Sequence, residues 1–202
     1  MKPRFLAFLL IVLPAAVFAQ DGKPDREGFI RDWLVLAPFA IPAESGAEEI
    51  DKKQFADEAQ PAARAGGKQK IGDKELVWRK VTSKEFFLDF RVLHPDQYEN
   101  VAAWAVAYVT SSEEKSGLTL HLNSNDQGKV YLNGREIVKF TDTRTLEKDA
   151  EDKAPGVTLK KGVNVLVLKV INQENNWQGS VRFTGPSGRP VTDLTIATAP
   201  KG

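Results

Sequence analysis

Between residues 118 and 138 apolar and polar side chains alternate with a period of two, interrupted by two turns. Leu118, Leu120 and Leu122 point one way and Thr119, His121 and Asn123 the other, the pattern of a strand with one buried face. Asn125-Asp126-Gln127-Gly128 predicts a turn, and Val130 and Leu132 resume the alternation. Asn133-Gly134 then predicts a hairpin, because a type I′ turn needs positive φ at both central positions. The same patterning predicts strands over 29–36, 75–81, 86–92, 101–110, 157–159, 163–171, 177–184 and 191–197. Pro38 should end the first of these, leaving 39–42 irregular. In 101–110 alanines oppose Trp104, Val106 and Tyr108, which predicts a central strand closely covered by a second layer. Residues 163–171 are apolar on both faces and mark the most buried strand.

One helix is expected, over 47–59. Ser45-Gly46-Ala47-Glu48 has the spacing of a capping box, and Glu48, Glu49 and Asp51 suit a helix N-terminus. Ile50 and Phe55 give it only a sparse apolar stripe, so it should lie on the surface over a sheet edge or barrel end. Residues 60–72 read as a loop and 141–155 as a charged connection. Nine or ten strands with short turns and one short peripheral helix predict an all-β, antiparallel β-sandwich.

The N-terminus changes the picture of where the protein works. Lys2 and Arg4 precede an apolar run over 5–18, and Val17-Phe18-Ala19 fits a signal-peptidase site. The run is shorter than the about 20 residues of a membrane span. The expectation is a signal peptide over 1–19, a flexible leader over 20–28 and one domain over 29–198. The product would be periplasmic or secreted, with no membrane span in the mature chain. Without Lys2 and Arg4 the net charge is about −1, which gives no support to nucleic-acid or anionic-membrane binding. The chain has no Cys, so the fold rests on packing, and thiolate or Cys-ligated metal chemistry is excluded.

Four motifs carry a resemblance. Val130-Tyr131-Leu132-Asn133-Gly134-Arg135-Glu136-Ile137-Val138 and the segment from Leu159-Lys160-Lys161-Gly162-Val163-Asn164 to Val170 resemble a paired signature of galactose-binding-domain-like jelly rolls. Asp32-Trp33-Leu34-Val35-Leu36-Ala37-Pro38-Phe39 and Asn176-Trp177-Gln178-Gly179-Ser180-Val181-Arg182-Phe183 are similar to the opening and closing motifs of exported bacterial members. They depart from those motifs at Ala37 and Gln178, where glycine is usual. The resemblance spans 32–184 and implies a jelly roll. Such domains include carbohydrate-binding modules and sugar-binding-like domains flanking β-galactosidase-type glycoside hydrolases, as well as modules that only pack.

Catalytic signatures are missing from the sequence. His94 and His121 are the only histidines, and no His-Glu-x-x-His, Gly-x-Ser-x-Gly, Walker or dinucleotide glycine pattern occurs. A non-catalytic protein is expected, with His121 on a surface or groove beside Thr119 and Asn123. Amides and carboxylates match the paired donors and acceptors of vicinal hydroxyls, so Asn123, Asn125, Asp126 and Asn133 could line a sugar groove. The same residue types also serve their own turns, the reading preferred for Asn133 and, less strongly, for Asn125 and Asp126. Asn172-Gln173-Glu174-Asn175-Asn176 is a second loop rich in hydrogen-bonding groups, and Asn175, Asn176, Trp177 and Gln178 from it and its exit join the candidate set. Trp177 would either stack on a pyranose or close the sandwich. Tyr131 completes the candidate carbohydrate-binding set if it is exposed beside the same groove. Trp33, Trp78 and Trp104 are expected in the core, and Asn164 as a buried amide tying two turns. No cofactor is expected. A structural Ca²⁺ could draw on Glu147, Asp149, Glu151 and Asp152, though Lys148 among them and Lys153 directly after them favour a solvated loop. The partner would be a glycan or, alternatively, an envelope protein contacted without any sugar site.

Overall fold

The computed structural model describes residues 21–200, so the expected signal peptide lies outside the described residues. The chain forms β1 (Asp32–Ala40), a helix α1 (Gly46–Glu49), β2 (Lys68–Ile71), β3 (Lys74–Val77), β4 (Arg79–Thr82) and β5 (Leu88–Asp89). After a 3-10 turn (Phe90–Val92) come β6 (Val101–Ser111), β7 (Lys115–Asn125), β8 (Gly128–Leu132) and β9 (Arg135–Phe140). The rest is β10 (Asp152–Leu159), β11 (Gly162–Asn172), β12 (Gln178–Thr184) and β13 (Thr195–Ala197). One antiparallel sheet has the order β4-β1-β6-β11-β8-β9, with β13 also on β6; a second has the order β10-β7-β12-β5. They face each other as the expected sandwich, and β2-β3 is a separate hairpin.

Period-two patterning explains the core. Leu118, Leu120 and Leu122 of β7 meet Ala103, Ala105 and Ala107 of β6 and Leu166, Leu168 and Val170 of β11. Small residues on the central strand let the second layer approach, while Trp104, Val106 and Tyr108 fill a separate cluster on the outer face. That outer cluster is closed by Ile41, Ile50, Phe55 and Ala63, and by Ile71 and Trp78 near the β2-β3 hairpin.

The helix expected over 47–59 stops at Glu49. Ser45 makes no side-chain cap and instead donates to Pro42 O at 2.6 Å. The carbonyls of Glu49 and Lys52, which a longer helix would offer to N–H groups four residues on, accept instead from Lys169 Nζ at 2.9 and 2.7 Å. Lys169 also pairs with Glu58 at 3.1 Å. Tertiary anchoring has replaced local structure.

Other boundaries move for similar reasons. β1 passes through Pro38 with a bulge between Leu36 and Phe39, and the Ala37–Pro38 bond is cis. The strand expected over 86–92 shrinks to β5, because Asp89 accepts from Arg91 N and starts the 3-10 turn. The loop expected over 60–72 contains β2, and β10 begins inside the expected 141–155 connection. Residues 21–28, for which composition predicts mobility, are tied down: Gly22 bridges to Ile196, and Asp25 Oδ1 accepts from Glu27 N and Phe29 N.

The two turns of the opening pattern differ in kind. Asn133 and Gly134 have φ of +52° and +81°, as a two-residue hairpin of primed type requires. Asn125 to Gly128, by contrast, carries the chain from one sheet to the other. Asp126 N donates to Ile171 O at 2.8 Å, and Gln127 O accepts from Ile171 N at 3.0 Å. A Cβ on Gly128 would sit 2.5 Å from Ser124 Oγ, so only glycine fits this crossing. The crossing leaves Asn125 and Asp126 at the rim of the sandwich.

Candidate functional site

Five connections meet at that rim around a concavity of ≈ 580 Å³. It is lined by Asn125 and Asp126 at the crossing, Gln173 to Asn175 after β11, Thr143 to Thr145 after β9, and Glu44, Glu99 and Asn100 from segments flanking the sheet. The Asn125–Asp126 peptide is cis. Glu44, Asn100 and Asn175 all have left-handed backbone, with φ of +58°, +50° and +66°. Asparagine tolerates that region through its short amide; Glu44 has no such relief.

Polar contacts fix the floor. Asp126 is 6 % exposed; its Oδ1 accepts from Arg144 N at 3.3 Å and its Oδ2 from Gln173 N at 3.0 Å. Burial pushes the Asp126 carboxyl pKa up, while the N–H groups of Gln173, Arg144 and Glu174 oppose the shift. With its amide oriented by its neighbours, Asn125 donates to Asn176 O at 2.7 Å and Arg144 O at 3.3 Å. Arg144 welds the wall to β7: Nε donates to Ser124 O and Nη2 to Ser124 Oγ, each at 3.0 Å, and Nη2 pairs with Asp152 at 2.7 Å. Its guanidinium lies 3.7 Å from the Phe140 ring centroid. The only cation of the lining is therefore committed. Glu44, Glu99, Asp126 and Glu174 make no ion pair among the described residues.

The seven candidate residues separate. Asn125, Asp126 and Asn175 line the concavity, and Asn176 is exposed beside it. Gln178 is half-buried at the start of β12, in register with Asn125 and Asp89. Trp177 is fully buried, with its ring centroid 5.1 Å from that of Phe90 and Nε1 donating to Val170 O at 3.4 Å. It closes the sandwich and offers no stacking face. Tyr131 lies against the outer cluster beneath Lys129, 5.7 Å from its ring, and does not reach the rim. Gln173 and Glu174, from the polar loop ahead of Trp177, belong to the lining, as do Arg144, Glu99, Asn100 and Glu44, which no motif marks. Of these last four, Asn100 alone had a local signal, as a residue type suited to positive φ ahead of a strand.

His121 is neither on the surface nor in a groove. Its Nδ1 lies 3.0 Å from Glu151 Oε2 and its Nε2 2.9 Å from Thr184 Oγ1. Arg182 grips Glu151 with Nε at 2.7 Å and Nη2 at 2.5 Å. Burial pushes the Glu151 carboxyl up, but hydrogen bonds from His121 and Arg182 outweigh it and hold the pKa below its usual range. The three side chains His121, Glu151 and Thr184 are buried, so the network ties the 141–151 connection to the sheet and presents no nucleophile. Asn123 Nδ2 adds a bond to Glu147 O. The four acids considered for Ca²⁺ diverge: Glu151 serves His121 and Arg182, Asp152 serves Arg144, and Glu147 and Asp149 are exposed. Among the described residues no group of three or more His, Cys, Asp or Glu could hold a metal ion.

No protein-family model matches the sequence, and a search of curated proteins finds no match. Among solved structures, the chain is similar to a PA14 sugar-binding domain from an RTX adhesin, with TM-score 0.43 and 10 % identity over 85 % of this chain and 100 % of that one. It is similar to the PA14 domain of the MpAFP antifreeze protein, with TM-score 0.41 and 10 % identity over 92 % and 99 %. A GH31 α-xylosidase of Xanthomonas citri gives TM-score 0.34 and 11 % identity over 88 % of this chain but 19 % of that chain. At TM-scores this low, the reading of the site rests on its own side chains.

Proposed function

We propose that the chain is an exported, non-catalytic β-sandwich that binds carbohydrate weakly at the rim concavity. In this reading it is a galactose-binding-like domain over 29–198, released by cleavage after Ala19 and working in the periplasm or outside the cell. One observation supports the site above all. Amide and carboxylate groups from the crossing and the loop after β11 converge on one recess, held by left-handed backbone at three of its residues.

The lining also suggests a class of glycan. Four carboxylates face a single arginine that is already committed, so the recess carries a negative field. Uronic or sulfated sugars would be repelled and neutral ones accepted. No aromatic ring lines the recess, which leaves hydrogen bonding as the source of affinity. At a net of about 0.5–1.5 kcal/mol per hydrogen bond, a few such bonds correspond to roughly millimolar binding.

The test is an array of neutral and acidic polysaccharides probed with the full protein, followed by affinity electrophoresis. Retention on neutral glycans is expected, weakened about three- to tenfold by Asn175→Ala and again by Glu174→Gln. Both residues are exposed, so neither change should unfold the sandwich. Retention by no glycan, or retention indifferent to both substitutions, overturns the proposal.

A further inference from the structure

The two sheets are covered differently. On the larger sheet, Trp104, Val106 and Tyr108 of the outer face lie beneath apolar residues. The smaller sheet turns His121, Asn123 and Asn125 of β7 and Gln178, Ser180 and Arg182 of β12 outward, and none of the six is apolar. Asn123 and Ser180 are buried all the same, at 1 % and 2 % exposed. They are in register across the β7-β12 ladder, so their side chains stand side by side. Asn123 Oδ1 and Ser180 Oγ have no hydrogen-bond partner among the described residues. Buried polar oxygens are normally paired, because an unpaired one carries the full cost of leaving water. An acceptor beside a hydroxyl that both donates and accepts suits the hydroxyls of a sugar.

Residues 145–150 lie over Asn123, whose Nδ2 donates to Glu147 O. Both ends of this segment are clamped, by Arg144 on Ser124 and Asp152 and by Glu151 on His121 and Arg182. Between the clamps, its hydrogen bonds and ion pairs to the rest of the chain, among the described residues, are the Asn123 bond and Lys148–Glu27 at 2.5 Å. Leu146 is half-buried and the other five residues are exposed. A cover with so little apolar burial opens at low cost. Thr145, its first residue, also lines the rim recess. Asn125 of the recess is two residues from Asn123 on the same strand face, about 7 Å away.

We propose, taking the recess as a glycan site, that residues 145–150 are a lid and that a neutral oligosaccharide extends from the recess beneath it onto Asn123 and Ser180. A single sugar fills the recess and leaves the lid shut. A longer chain replaces the contact between Asn123 and Glu147 and gives both unpaired oxygens a partner. The clamp of His121, Glu151 and Arg182 closes the far side, so the ligand enters by its chain end. The lid thereby selects for chain length.

The chain has no Cys, so Ser180→Cys puts a single thiol under the lid. In the full chain that thiol should react with iodoacetamide faster than the protein unfolds. Lys148→Ala, which cuts the exposed pin to Glu27, should speed the reaction about fivefold. A rate no faster than global unfolding overturns the lid. For binding, the ¹⁵N-labelled full chain is titrated with glucose against cellotriose, mannose against mannotriose and galactose against galactotriose. At least one trisaccharide should bind about tenfold more tightly than its monosaccharide, shifting the amides of Asn123 and Ser180 as well as those of Asn125 and Asn175. The same trisaccharide should protect the thiol. Ser180→Ala should abolish the preference for length without lowering the melting temperature. A lowered melting temperature would make the hydroxyl a structural, water-held group and overturns the site. Equal affinity for both lengths, with shifts confined to Asn125 and Asn175, overturns the lid and leaves the recess as a glycan site. No shift at Asn125 or Asn175 with any of these sugars overturns both the recess as a glycan site and its lid.

Discussion

Asn133 Nδ2 donates to Asn164 Oδ1 at 2.9 Å, joining the β8-β9 hairpin to the turn that opens β11. Asn164 Oδ1 also accepts from Lys160 N at 2.9 Å, its Nδ2 donates to Lys160 O at 2.9 Å, and Asn133 Oδ1 accepts from Val165 N at 2.9 Å. Two asparagines thereby satisfy the backbone of two turns. Asn164 is fully buried, so Asn164→Ala strands several of these groups at once. A loss of about 2–3 kcal/mol is expected in urea unfolding. Asn133→Ala should cost less on its own. Because the amides share partners, the double variant should lose at least about 0.5 kcal/mol less than the sum of the singles. Strict additivity would show that the two turns are held independently.

Trp177 is a second test of structure against binding. Its indole is buried against Phe90, and its removal opens a large cavity between the sheets. Trp177→Ala should cost about 3–5 kcal/mol of stability. Trp177→Phe keeps most of the apolar volume and should cost distinctly less. Neither change should alter glycan retention of the fraction that remains folded. Thermal melts paired with affinity electrophoresis read both quantities on one sample.

Much of this was legible in the chain and some was not, for identifiable reasons. The inner core follows from the period of two, which a local pattern reports directly through Leu118, Leu120 and Leu122. Asn133-Gly134 was equally readable, since its φ demand belongs to two adjacent residues. The helix expected over 47–59 failed because Lys169, over a hundred residues away, takes the carbonyls that would have extended it. His121 and Asn123 alternate as a solvent face should, yet the connection over 141–151 covers them. The recess is the least legible part. Asn125-Asp126 and the polar loop carrying Glu174 stood out, but Arg144 and Glu99 reach the same recess from segments with no motif, through sheet topology alone.

Asp126 offers a pH test with a definite sign. Burial raises its folded-state pKa above 3.8 despite three backbone N–H groups. A carboxyl with a raised folded pKa contributes stability below its unfolded pKa and loses it as pH climbs through the folded value. The stability of the wild type relative to Asp126→Asn should therefore fall as pH rises from about 3 to about 6. The comparison is made by urea midpoints across that range. A difference that grows with pH would mean that the N–H groups outweigh burial. The asparagine also removes an acceptor from the recess, so glycan retention should weaken even where stability improves.

Lys169 and Glu58 make the last prediction. Both side chains are almost wholly buried, 3.1 Å apart, and Lys169 also holds the carbonyls of Glu49 and Lys52. Burial lowers the Lys169 pKa, while the nearby Glu58 carboxylate works against that shift. Lys169→Met leaves Glu58 charged in the interior and frees the segment over 49–58, at an expected cost of about 3–5 kcal/mol. Adding Glu58→Gln removes the stranded charge and should recover part of that loss. The recovery should be incomplete, because the two carbonyls still lack their donor. Hydrogen exchange at residues 49–58 separates the terms: both variants should exchange faster there, while the inner core around Leu120 and Leu168 stays protected. Full recovery in the double variant would mean that the ion pair alone, and not the carbonyl anchoring, holds this segment on the outer face.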